Sequence, residues 1–142
     1  MTNALRFTVP GAPIGKGRPR ATTINGMARL YTPKKTASYE GLVAHAAHEA
    51  MAGRAPMDDA ATVTMDVLCP IPQSWSQKKQ RMAALGEIRP TTKPDIDNVV
   101  KGVFDGMNGV VWRDDVVVAE LIVRKFYSLA PCVKVAVRPL QE

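Results

Sequence analysis

The sequence has no acidic residue before Glu40, whereas Arg6, Lys16, Arg18, Arg20, Arg29, Lys34 and Lys35 all fall in that stretch. Such one-sided charge suits a surface that meets a polyanion. Long apolar runs are missing too: none approaches the roughly 20 residues a membrane span requires, and no signal-peptide pattern opens the chain. A cytoplasmic protein with no membrane partner is the expectation. Cysteine is scarce, and Cys69 and Cys132 fall in strand-like segments without a neighbouring cysteine or metal-ligand spacing. Both read as reduced core residues. No Ser, Cys or His set is arranged for nucleophilic catalysis, so any hydrolysis must draw its nucleophile from elsewhere.

What is present describes an ordinary globular chain. Its 142 residues suit one domain spanning 1–142, with 46% hydrophobic and 23% charged residues. The net charge of +6 favours an acidic partner, nucleic acid first and an anionic membrane surface second.

The first loop, GAPIGKGRPR at 11–20, resembles a nucleotide-phosphate loop but fails its chemistry. Gly11 and Gly15 enclose three residues instead of four, Pro13 removes an amide donor, and Gly17 follows Lys16 where a magnesium-holding hydroxyl belongs. No nucleotide cofactor is expected. Gly17-Arg18-Pro19 also spells the core of a minor-groove hook, although such hooks sit in low-complexity tails and this one follows an apolar strand. An exposed turn with solvated charges is the plain alternative.

Periodicity supplies the elements. Leu5, Phe7 and Val9 alternate as in a half-buried strand, and residues 27–31 suit a second strand after an Asn25-Gly26 turn. A helix is expected from about Thr36, with Tyr39, Leu42, Val43, Ala46, Ala47, Ala50 and Met51 on its stripe and Gly53 at its end. Val63 to Cys69 alternate as a strand closed by Pro70. Ser74 and Gln77 suit a capping box before a short basic helix ending at Gly86. Another helix follows Pro94, striped by Ile96, Val99, Val100, Val103 and Met107. VVWRDDVVVAELIVRKFYS reads as one long strand with a break at its acidic pair, and CVKVAVR as the last strand. The order ββαβααββ predicts an α+β domain: a mixed or antiparallel sheet with helices on one face.

The chemistry concentrates in KPDIDNVVK, residues 93–101. In an extended or just-turning segment, Asp95 and Asp97 direct both carboxylates to one side and could share a divalent ion. Either could equally be a helix cap complementing the positive end of the helix dipole. Lys101 lies one helical turn beyond Asp97, as a plain ion pair or as a cation beside a phosphodiester. In the pair Asp114-Asp115, strand parity places Asp115 on the less charged side, while an exposed acidic turn is the alternative. Carboxylates for magnesium, with cations around them to admit a phosphate backbone, are what a metal-dependent nuclease needs.

The succession KGRPR, YTPKKT, Tyr39-Glu40, SWSQKK, KPDIDNVVK and FDGMNGVVWRDD resembles the RusA family of Holliday junction resolvases along nearly the whole chain. The resemblance implies a small homodimeric α+β endodeoxyribonuclease, often prophage-borne, that needs Mg2+ (Mn2+ may substitute) and cuts branched four-way DNA symmetrically. It implies metal-binding and catalytic roles for Asp95, Asp97 and Asp115, with Lys101 as the catalytic lysine. It also implies DNA contacts for Lys16, Arg18 and Arg20 in the basic loop, so that GAPIGKGRPR clamps DNA phosphates. Lys34, Lys35 and Lys93 extend that basic surface. A non-catalytic DNA-binding module, or a phage regulatory protein with an acidic partner, are the alternatives.

Other features read as structure. HAAHE at 45–49 lacks a third zinc ligand, Trp75 and Trp112 adjoin apolar sequence, and Lys78, Lys79 and Arg81 make either a solvated face or further phosphate contacts. Phe104, beside the Asp97 and Lys101 stripe, raises the idea of a wedge in an opened junction. A self-complementary dimer surface is expected near the amino-terminal strand or the first helix.

Overall fold

The computed structural model describes residues 4–17, 20–31 and 34–140. Strict alternation in β1 (Leu5–Pro10) buries Leu5, Phe7 and Val9 and exposes Arg6 and Thr8. β4 (Ala61–Pro70), β5 (Val118–Ser128) and β6 (Cys132–Pro139) join β1 in a four-stranded sheet of order β1-β6-β4-β5. The β4/β5 pair is parallel and the other pairs are antiparallel, which makes the sheet mixed. Register aligns the apolar positions in rows: Phe7 with Val135, Met65 and Val123, and Leu5 with Val137, Val63 and Leu121.

That face is covered by α1 (Lys34–Met51) and α3 (Ile96–Met107). Tyr39, Val43, Ala47 and Met51 come from α1, and Val99, Val103 and Met107 from α3. Each fully buried side chain of this size contributes about 1.5–3 kcal/mol. The two helices meet at Gly106, where a Cβ would lie 2.7 Å from the Val43 Cβ and 2.8 Å from the Glu40 carbonyl oxygen. The short α2 (Gln77–Ala84) lies beside β5. Cys69 and Cys132 are buried free thiols, and burial pushes the Cys69 thiol above its ordinary pKa.

The fold is α+β as expected, with three local corrections. A strand, β2 (Arg20–Ile24), precedes β3 (Met27–Tyr31), so the order is βββαβααββ. Asn25 and Gly26, at φ 54° and 77°, form the two-residue turn that lets β2 and β3 pair. The cap of α2 is Ser76, whose hydroxyl accepts from the Lys79 amide at 3.2 Å; Gln77 is already helical, so no Ser74/Gln77 box forms. The stretch 108–117 is a turn and a short 3-10 helix (Asp115–Val117), not strand, because Trp112 is fully buried and its carbonyl accepts from the Gly109 amide at 2.7 Å. Tertiary burial overrides the β-branched composition there.

Gly106→Ala should destabilise the protein by about 1–3 kcal/mol, because overpacking outweighs the gain in helix propensity. Gly41, in the middle of α1, has nothing within 4 Å of an added Cβ, so Gly41→Ala should be neutral or stabilising by up to about 1 kcal/mol. Urea unfolding of the two variants side by side checks the contrast.

Candidate active site

The chain enters α3 through Pro94, and Asp95 takes the N-cap position with extended φ and ψ of −70° and 144°. An aspartate there normally accepts a hydrogen bond from an amide in the first turn. Asp95 makes no such bond. Its exposed carboxylate is left at the positive end of the helix dipole with no hydrogen-bond partner among the described residues. Capping therefore does not account for it.

Asp97 occupies the first turn of α3, and Lys101 follows one turn later. Both line an open cleft of about 340 Å³ together with Asp115. Ile96, Val100, Phe104, Leu121 and Val123 form its apolar remainder. Asp95 is not on this wall; it stands two residues earlier, at the helix start. Of the two geometries expected for Asp95 and Asp97, extended or just turning, the chain takes the second, since the helix begins between them at Ile96.

Asp115 opens the 3-10 turn, so strand parity does not apply to it. Its carboxylate accepts from the Asn108 side-chain amide at 3.2 Å, and the Asn108 carbonyl oxygen accepts from Trp112 Nε1 at 2.8 Å. Phe104 braces Trp112 edge to face at 5.5 Å. The Asp115 carboxylate is thereby tied to the core. Asp114 acts locally instead, since its carboxylate accepts from the Val116 amide at 3.3 Å and caps the turn.

Among the described residues, no three Asp, Glu, His or Cys side chains converge as a ready-made metal cage. Magnesium seldom uses one, since it keeps several waters and is held by one or two carboxylates together with substrate phosphate. Hard-oxygen donors at Asp95 and Asp97 without partners among the described residues, with a fixed one at Asp115, fit such an ion.

The basic loop docks directly on this helix. The Lys16 amide donates to the Asn98 carbonyl at 3.0 Å and the Gly17 amide to the Thr36 hydroxyl at 2.9 Å. Gly15 lies so close that a Cβ would stand 3.2 Å from the Asn98 Cβ. The Lys16 ammonium donates to Asp105 and lies 3.1 Å from Glu40. The Asp105 hydrogen bond, opposed by burial and aided by Glu40, holds the Lys16 pKa above its ordinary value. Asp105 also takes Lys101, at 3.5 Å. Lys16 thus anchors the loop to α3 and α1. Arg18 lies outside the described residues, Arg20 opens β2, and Lys34, Lys35 and Lys93 are exposed.

Sequence reasoning does not single out Asp105 or Asn108. Asp105 carries a signal, the four-residue spacing from Lys101. Asn108 carries none, because its value depends on Trp112 and Asp115 folding back onto it. The wedge idea for Phe104 loses ground, as its ring is only 8% exposed and packed on Trp112. His45 pairs with Glu49 at 3.6 Å on an exposed helix face, away from any zinc arrangement among the described residues. Trp75 stacks edge-on with Tyr127, with the Lys79 ammonium over its ring.

A relative in Bacillus subtilis (strain 168), the uncharacterized protein YqaN, is 39% identical over 143 aligned positions covering 96% of each chain. The profile of the family described as endodeoxyribonuclease RusA matches residues 10–138, a span running from the basic loop through α3 and the Asp115 turn into β6. The chain belongs to the RusA family of endodeoxyribonucleases.

Proposed function

We propose that this protein is a divalent-metal-dependent Holliday junction resolvase that cuts two like strands of a four-way junction at symmetry-related positions. The observation that carries the reading is the Asp97, Lys101 and Asp115 cleft at the start of α3, next to an Asp95 carboxylate that makes no cap hydrogen bond. Asp95, Asp97 and Asp115 would hold the ion. When bound, Mg2+ or Mn2+ supplies Lewis acidity toward phosphoryl oxygen and makes water acidic enough to serve as nucleophile near neutral pH. Asn108 orients Asp115, and the apolar remainder of the cleft limits water beside the scissile phosphate. Lys101, with a side chain 64% exposed, faces outward and stabilises the extra negative charge on the phosphate under attack. Arg18 and Arg20 of the basic loop would contact the phosphate backbone, with Lys34, Lys35 and Lys93 extending the basic surface.

Cleavage of a synthetic junction should require Mg2+ or Mn2+ and stop in excess EDTA. Asp95→Asn, Asp97→Asn and Asp115→Asn should each lower it by more than about a hundredfold while junction binding is kept or tightened, since each removes a negative charge facing phosphate. Asp114→Asn should be milder. A cleavage assay paired with gel-shift binding reads both, and an Asp95→Asn protein that cuts normally would sink the assignment.

Loop substitutions should behave in the opposite way. Arg18→Ala with Arg20→Ala should weaken binding to any DNA sequence and flatten its salt dependence by about 0.9 in log–log slope per lost phosphate contact. An unchanged slope would mean that the loop does not touch DNA.

Paired cuts need two sites related by a two-fold axis, and one such chain carries one acidic cluster. A C2 homodimer meets that need. Light scattering at micromolar concentration should give about twice the 15.4 kDa chain mass, and mixing active chains with Asp95→Asn chains should yield junctions nicked once.

A further inference from the structure

Lysine is out of place at position 125. On the helix-covered face of β5, Leu121 and Val123 stand in register with Val63 and Met65, and the next residue of that face is Lys125, in register with Val67. Across the sheet, Val67 is followed by Val133 and Val9, and all three valines are fully buried. A half-buried ammonium in such a row must find acceptors, because stripping it of water without replacing its hydrogen bonds is costly.

It finds them in the loop that leads to α3. The Lys125 ammonium donates to the Thr92 carbonyl at 2.7 Å and to the Pro94 carbonyl at 2.9 Å. The link is doubled on the same strand: Arg89 Nε donates to the Lys125 carbonyl at 2.6 Å, and the Arg89 guanidinium lies 3.9 Å over the Phe126 ring. The segment 89–94 is therefore tied to β5 at both ends, and the second tie falls on the residue immediately before Asp95. Since Asp95 makes no cap hydrogen bond, the direction in which the chain enters α3 is the main restraint on where its carboxylate sits.

We propose that Lys125 is a positioning residue for the metal site: by holding the Thr92 and Pro94 carbonyls it fixes the Asp95 carboxylate relative to Asp97 and Asp115. β5 then governs both sides of the site, following the Asp115 turn at its beginning and gripping the approach to Asp95 further along. The inference rests on the reading of Asp95 as a metal ligand.

The test uses Mn2+ alone as the probe, titrated calorimetrically into full-length protein without DNA, with thermal unfolding and junction binding in EDTA measured alongside. Lys125→Met keeps the stem and removes the donors, and Lys125→Gln takes its place should that variant not fold. Either should weaken Mn2+ binding roughly tenfold, as the loss of an outer-shell partner does, with junction binding unchanged, while Lys125→Arg should stay within about threefold of the parent. Native Mn2+ affinity in a folded Lys125→Met or Lys125→Gln protein overturns the proposal, as does a loss in Lys125→Arg equal to that in Lys125→Met. An Asp95→Asn control separates the two layers. Weakened Mn2+ binding in Asp95→Asn with native binding in Lys125→Met removes the Lys125 role alone, whereas undiminished binding in Asp95→Asn removes the metal reading of Asp95 and the proposal with it.

Discussion

The contact on which the site depends is backbone against side chain, at Gly106 of α3 and Val43 of α1. With no Cβ at 106 the two helices close until Val43 and the Glu40 carbonyl press on the α3 backbone. That proximity lets the carboxylates of Glu40, on α1, and Asp105, on α3, meet around one ammonium from a third segment, the basic loop. If the helices stood further apart, the loop would lose its seat, because Glu40 and Asp105 could no longer share the Lys16 ammonium. Close packing in the core and the layout of charge at the surface thus depend on each other.

The resulting chain of charges alternates in sign: Glu40, Lys16, Asp105, Lys101. Its two lysines are not equivalent. The Lys16 side chain is 20% exposed and bound by two acids, whereas that of Lys101 is 64% exposed and shares one. Ion pairs in partial burial are screened less than those in open solvent. The inner lysine is therefore committed to holding structure, and the outer one keeps a charge that an approaching anion can use. In a protein of net charge +6, such acids do not oppose polyanion binding, because they are neutralised in place.

The elements that can be read from sequence are those whose burial has a simple period. β1, β4 and β6 alternate, α1 and α3 carry a stripe, and periodicity places all five within a few residues. β2 escapes because Ala21, Thr22 and Thr23 are all exposed and show no alternation in burial; its partner strand defines it. The stretch around Trp112 misleads for the opposite reason, since its β-branched residues favour strand locally while the indole is held by the core. Asp97, Asp115 and Lys101 stand out by residue type and spacing, and they do line one cleft, Asp97 and Lys101 from the helix expected after Pro94 and Asp115 from a 3-10 turn instead of a strand. Lys125 stays hidden because a single lysine near the end of an apolar strand looks like an ordinary solvated terminus until its register is known.

The parallel pairing of β4 with β5 bears on how the molecule comes together. Parallel neighbours cannot be joined by a tight hairpin. Here the connection runs through residues 71–117 and contains α2, the Arg89–Pro94 segment, α3 and the Asp115 turn. Asp95, Asp97, Lys101, Asn108 and Asp115 all lie inside that crossover. Closing so long a connection must precede the contacts that reward it, which makes such pairings slow to form. Local helix formation in α3 and the Asn108–Asp115 contact can come early, but Leu121 and Val123 are set in the cleft wall by the pairing of β5 with β4. A nascent chain therefore remains without an assembled cleft until nearly all of its sequence has been made.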